Sequence, residues 1–147
     1  MSQTFDSIFK DDIKRVHYQI DGLSSKKSHI QVVIWPTFSG LSDFERGVAD
    51  HIASLGFSAT ALDLYGIENN PHEMDEKRAK MGALLAESEP LHGLLAELTQ
   101  SACDAMHGKT IVHVGFCLGG RLALEAGLHF TESAGAASFH GLMSFNR

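Results

Sequence analysis

Cysteine is scarce in this sequence: Cys103 and Cys117 are the two in 147 residues. Two are too few for a secreted disulfide framework, and their spacing matches no zinc pattern. Long apolar runs are missing as well. No stretch approaches the ~20 apolar residues that span a bilayer, so no membrane partner is expected. The opening MSQTFDSIFKDDIKR has no apolar run preceded by basic residues, which argues against a secretory signal. Positive charge is in deficit, with 12 Lys and Arg against 18 Asp and Glu and a net charge of -6. That balance argues against nucleic acid or an anionic membrane surface as a partner. The nine His residues are scattered, with no H-x-x-x-H or H-E-x-x-H pair, so no metal site is expected. Internal repeats and low-complexity segments are absent too. What is left is an ordinary globular composition, enough chain for one domain with a real core, and a cytoplasmic, reducing setting.

Strands and helices alternate along the chain. Residues 16–20 read as a half-buried strand ended by Asp21-Gly22, and Ser24-Ser25-Lys26-Lys27-Ser28 as a polar turn. Residues 30–35 form a Val-Val-Ile run too apolar for one wet face, as in a central parallel strand, and Pro36 stops it. Ser42-Asp43-Phe44-Glu45 has the form of a capping box. Phe44, Val48, Ile52 and Leu55 follow at helical spacing, with Gly56 as the stop. Residues 57–64 read as a strand. Asn70-Pro71-His72-Glu73 suggests a helix start with an Asn cap, its buried face lined by Met74, Met81, Leu84 and Leu85. A further helix from Glu89-Pro90 carries Leu91, Leu94, Leu95, Leu98, Ala102 and Met106, closed by Gly108. A strand over 110–114, a helix over 122–129 and a strand over 134–139 complete the series. This order predicts an α/β protein with a mostly parallel sheet and helices on both faces. Such sheets place their site at the carboxyl ends of the strands.

One of those ends carries Gly115-Phe116-Cys117-Leu118-Gly119-Gly120, between a strand and a helix. This is the G-x-nucleophile-x-G elbow, with Cys where Ser is commoner. Glycines two residues either side let the backbone cross closely at a tight, strained turn. The helix that follows points its N-terminus at the sulfur, which favours thiolate over thiol. The Leu118 N–H would face a developing oxyanion, and a second N–H would come from the loop near Phe38. A buried structural Cys in a Gly-rich turn is the plainer alternative. Phosphate or a nucleotide at the helix N-terminus is another, but the turn is neither a P-loop nor G-x-G-x-x-G.

Three stretches in order carry a family resemblance. They are Val32-Val33-Ile34-Trp35-Pro36 through Gly40-Leu41-Ser42-Asp43-Phe44, then Ala61-Leu62-Asp63-Leu64-Tyr65-Gly66, then the Cys117 elbow. Met81-Gly82-Ala83-Leu84-Leu85 and Ala137-Ser138-Phe139-His140-Gly141 add to them. Over residues 14–142 the chain resembles the dienelactone hydrolase family of α/β-hydrolases. The resemblance implies hydrolysis of small esters or lactones by Cys117, through an acyl-enzyme, with no metal or organic cofactor. It also implies a Cys-Asp-His triad whose Asp and His follow two further strands. Arg147 comes soon after the Phe-His-Gly strand, so neither partner has a position here, and residues 142–147 depart from the family pattern. Thr37 stands where some members place a Glu that holds the resting Cys.

The expectation is therefore a single hydrolase domain over residues 1–147 that lacks its last strands and turns over poorly. Its last strand would be an open edge, favouring a homo-oligomer. The competing reading is a binding or assembly module that keeps the fold without the chemistry. His140 is expected in local packing rather than catalysis, Asp63 in turn hydrogen bonds, and His113 as a satisfied core residue. Arg78 is expected on a solvated helix face, with contact to an anionic substrate, as the resemblance implies, the alternative, and Arg121 in a surface or ion-pair role.

Overall fold

The computed structural model describes residues 2–8, 11–24, 27, 29–106 and 109–141. Much of the expected 24–28 turn, the Gly108 helix stop and residues 142–147 lie outside the described residues. In chain order the elements are β1 (Ser2–Ile8), β2 (Lys14–Ile20), β3 (Ile30–Trp35), α1 (Asp43–Ser54) and β4 (Ser58–Ala61). A short 3-10 turn (Ile67–Asn69) follows, then α2 (Met74–Leu85), α3 (Ser88–Ala105), β5 (Thr110–Phe116), α4 (Leu118–His129) and β6 (Ser133–Phe139). The strands form one sheet in the order β1-β2-β4-β3-β5-β6. It is mixed: β4, β3, β5 and β6 run parallel, while β1 and β2 pair antiparallel at one side.

β3 organises the core because both of its faces are covered. Val33 and Trp35 face a cluster built with α3 and α4, through Leu91, Leu95, Leu98, Leu118 and Leu122. Val32 and Ile34 point the other way, into a cluster with Leu41, Ala49 and Ala59 on the α1 side. The period-2 alternation of a strand thus feeds two apolar layers from one six-residue run. Among the described residues no helix is long and apolar enough to cross a membrane.

Four local expectations are corrected. β1 was not foreseen, since SQTFDSI has little apolar patterning. It is held by pairing with β2 over Ser2↔Ile20 to Ile8↔Lys14 and by a Ser7 Oγ to His17 Nε2 hydrogen bond of 2.7 Å. The strand expected over 57–64 is in the ladder only over Ser58–Ala61. Leu62 still donates to the Ile34 carbonyl at 3.0 Å, but Asp63 then turns the chain by accepting the Gly66 N–H at 3.0 Å. α2 starts at Met74 after Glu73, not after an Asn70 cap, and Met74 is half exposed. Met81, Leu84 and Leu85 do pack against the core from this otherwise solvated helix. Finally, α4 begins directly at Leu118, so the elbow joins strand to helix with a single intervening residue.

Candidate active site

Register brings the carboxyl ends of the parallel strands to one rim. Ile34 lies beside Ala61, Trp35 beside Gly115, and Phe116 beside Phe139. Cys117 sits where β5 hands over to α4, with φ 57° and ψ -118°. A non-glycine residue held at positive φ costs on the order of 1–3 kcal/mol, and such strain gathers at functional turns. Its N–H donates to the Phe139 carbonyl at 2.9 Å, and its carbonyl accepts the Gly120 N–H at 3.0 Å. The strained residue is thus pinned from both sides.

The flanking glycines are required by close approach. A Cβ on Gly115 would collide with the Gly119 backbone, and one on Gly119 would run into the carbonyl oxygens of Trp35 and Pro36. The elbow is therefore pressed against the end of β3, and the loop carrying Phe38 starts beside it. Phe38 packs on the same core cluster that contains the fully buried Leu118. The Leu118 N–H belongs to the first helical turn, where no intrahelical acceptor exists. No hydrogen bond of the Phe38 N–H is found among the described residues. The Cys117–Leu118 turn and the start of the Phe38 loop thus meet at the end of β3. Cys117 is partly exposed, with no side-chain hydrogen bond to an acid or base among the described residues.

The structure adds residues that the sequence reading missed. Tyr65 Oη donates to the Phe38 carbonyl at 3.2 Å, and Asn70 Nδ2 donates to the Leu41 carbonyl at 3.0 Å. These two side chains tie down the loop between β3 and α1. Burial pushes the Tyr65 phenol up to about 12, so it stays a neutral donor. The Lys77 ammonium lies 5.9 Å from the centre of the Phe38 ring. Thr37 serves its own loop, with its hydroxyl accepting the Ser39 N–H at 3.3 Å. The signal for Tyr65 was its place in the Asp63-Leu64-Tyr65-Gly66 strand end. Nothing local marks Asn70 as a clamp across 29 positions of sequence.

On the α1 side of the elbow, Phe116 stacks on Phe139 at 5.2 Å and meets Phe44 edge-on at 5.1 Å. Phe44 and Phe139 are each about half exposed, 52% and 50%.

Asp63, His113 and Arg121 take structural places. Asp63 accepts the Val16 N–H at 2.9 Å as well as that of Gly66, and burial pushes its carboxyl up. His113 is fully buried, with Nδ1 accepting from Trp35 Nε1 at 3.0 Å and Nε2 2.6 Å from Ser133 Oγ. Burial lowers it to about 4. Arg121 is buried and paired with Glu125 at 3.0 Å, rather than at the surface. Arg78 is exposed on α2. His140, expected to pack locally, is exposed with φ 56° and makes no hydrogen bond to Cys117 among the described residues. No cluster of potential metal ligands occurs among the described residues.

Comparison with known proteins agrees with this geometry. The model of the dienelactone hydrolase family matches residues 21–147. No curated protein matches the chain. Among solved structures, one named m3DLH superposes with a TM-score of 0.85 at 23% identity, covering 99% of this chain and 62% of its own. A dienelactone hydrolase-like promiscuous phosphotriesterase from metagenomic libraries superposes at 0.78 and 21% identity, over 96% of this chain and 59% of its own. A candidate dienelactone hydrolase from Klebsiella pneumoniae subsp. pneumoniae gives 0.76 and 21%, over 100% and 63%. At these identities the likeness is one of fold, and the chain spans about three-fifths of the length of each relative.

Proposed function

The chain belongs to the dienelactone hydrolase family, and on that premise we propose that it hydrolyses small carboxylic esters or lactones with Cys117 as nucleophile. The observation that carries this reading is the elbow, with Cys117 at φ 57° between β5 and the first turn of α4. The Cys117 thiolate adds to the substrate carbonyl. Negative charge then develops on the carbonyl oxygen, where the N–H groups of Leu118 and Phe38 stabilise it. Collapse expels the alkoxide, or opens the lactone ring, and leaves a thioester on Cys117. Water then hydrolyses the thioester to the free acid and restores the thiol. Tyr65 and Asn70 hold the loop that presents Phe38 and so act as positioning residues. This scheme uses no metal or organic cofactor.

No acid or base is hydrogen-bonded to Cys117 among the described residues, which supports slow turnover by residues 1–147 alone. An activated nitrophenyl ester is therefore expected to leave one acyl group on Cys117, seen by intact-protein mass spectrometry, with little steady hydrolysis. Cys117→Ala removes the adduct. Neither adduct nor hydrolysis with the folded chain would sink the nucleophile assignment and favour a binding module of the same fold. Rapid Cys117-dependent turnover would instead overturn the proposed impairment.

The setting we infer is cytoplasmic, where the unpaired Cys103 and Cys117 stay reduced. A second copy of the chain is the proposed partner. β6 is one of the two edges of the sheet among the described residues, carries no charged side chain, and ends at the half-exposed Phe139, which stacks on the partly buried Phe116 beside the half-exposed Phe44.

A further inference from the structure

α4 carries Cys117 at one end and a second feature at the other. It has 12 residues, so its last turn lies about 18 Å along the axis from the elbow. There α3 and α4 flank a pocket, open on one side, lined by His92, Leu95, Ala96, Ala126, His129 and Phe130. Thr99 also lines it, but its hydroxyl already donates to the Leu95 carbonyl at 2.8 Å. The pocket volume is about 140 Å³. An apolar cavity of about 150 Å³ is enough to take up a benzene-sized guest.

Two imidazoles set the chemistry of one wall. The rings of His92 and His129 lie 4.1 Å apart, tilted by 34°. His92 Nε2 is 3.2 Å from Glu125 Oε2, and Glu125 Oε1 accepts Arg121 Nε at 3.0 Å. The His92 ring is thereby fixed by a carboxylate that is itself held. The His129 imidazole makes no hydrogen bond among the described residues. Overlapping rings direct their nitrogens outward in their own planes, not toward a shared point. The pair therefore suits a flat guest with one polar group better than a metal ion, in line with the absence of a metal-ligand cluster among the described residues.

We propose that this pocket between α3 and α4 binds a monocyclic phenol, its ring packed against Leu95, Ala126 and Phe130 and its hydroxyl hydrogen-bonded to His129. The site is separate from the hydrolytic one and does not depend on it. Aromatic rings pack favourably offset or edge-on against other rings, which Phe130 and the imidazoles provide.

Nuclear magnetic resonance titration of the ¹⁵N-labelled chain with phenol, and separately with benzene, tests this. Saturable shifts confined to the facing turns of α3 and α4 are expected with both probes. His129→Ala, at an exposed position, should weaken phenol about fivefold, the value of one hydrogen bond, and benzene by less than about twofold. Ala96→Leu, also at an exposed position, fills the pocket and should abolish saturable shifts with both. Well-dispersed spectra will show that each variant is folded. No saturable shift in these turns, or undiminished binding to Ala96→Leu, overturns the site. Equal weakening of phenol and benzene by His129→Ala overturns the phenol assignment.

Discussion

His17 and His113 are fully buried imidazoles, each with both ring nitrogens hydrogen-bonded. In both, Nδ1 accepts a proton-bearing nitrogen, from the Asp63 N–H and from the Trp35 indole. That leaves the proton on Nε2, facing Ser7 and Ser133. Protonating Nδ1 would set two donors against each other in a dry site, and burial lowers both groups to about 4. A base that holds its proton more weakly when folded loses stability as pH falls below its unfolded value of about 6.5. The loss grows down to about pH 4 and then levels off, at on the order of 3 kcal/mol for each ring. Asp63 and Glu45 act in the opposite sense, since burial pushes their carboxyls up and protonation relieves them. Urea midpoints measured from pH 7 to 4.5 should therefore fall in the wild type and fall less in His113→Gln. Parallel profiles would show that His113 does not carry the acid sensitivity.

At the scale of elements, α1 shows how a local code survives into the fold. Ser42 Oγ accepts the Phe44 N–H at 3.3 Å and donates to Glu45 Oε1 at 2.8 Å. The same carboxylate oxygen accepts the Ser42 N–H at 3.0 Å. This is the expected capping box, but the structure buries Glu45 completely and leaves Oε2 without a partner among the described residues. Ser42→Ala would remove the cap and one of the donors that compensate the buried carboxylate. A loss of about 1–2 kcal/mol is expected, seen as a melting temperature lower by roughly 3–6 °C. An unchanged melt would mean that the box contributes nothing beyond what water supplies. Most elements were legible from such signals: the apolar run of β3, the spacing of Leu91, Leu95 and Leu98 on α3, and the glycines of the elbow. β1 was not legible, because its polar sequence is ordered only by the strand beside it. Nor was the end of β4, where the buried Leu62 and Leu64 extend the apolar pattern past the last ladder pair at Ala61.

Across the whole molecule the two sheet edges are unlike. β1 carries Asp6, paired with Lys14 of β2 at 3.1 Å, and such charge discourages pairing with another chain. β6 has Ser, Ala, Gly and Phe only, with Ala134, Gly135, Ala136 and Phe139 exposed. No charge on β6 therefore opposes pairing of its free backbone groups with another chain. Sedimentation of the purified chain should give a dimer or larger species, and Ala134→Lys should shift it toward monomer. A wild-type chain that sediments as a monomer at all concentrations would remove the edge-pairing proposal.

The sequence by itself determined the strand–helix alternation, the two-faced β3 and the Cys117 elbow. Each is written in contiguous residues whose spacing has a direct steric or apolar meaning. Tertiary structure alone decided what surrounds the elbow. Trp35 and Pro36 carbonyls press on Gly119, Tyr65 and Asn70 clamp the Phe38 loop, and the same Asn70 that reads as a helix cap spends its side chain on Leu41. Those contacts join residues tens of positions apart, and only the register of the parallel strands brings them together.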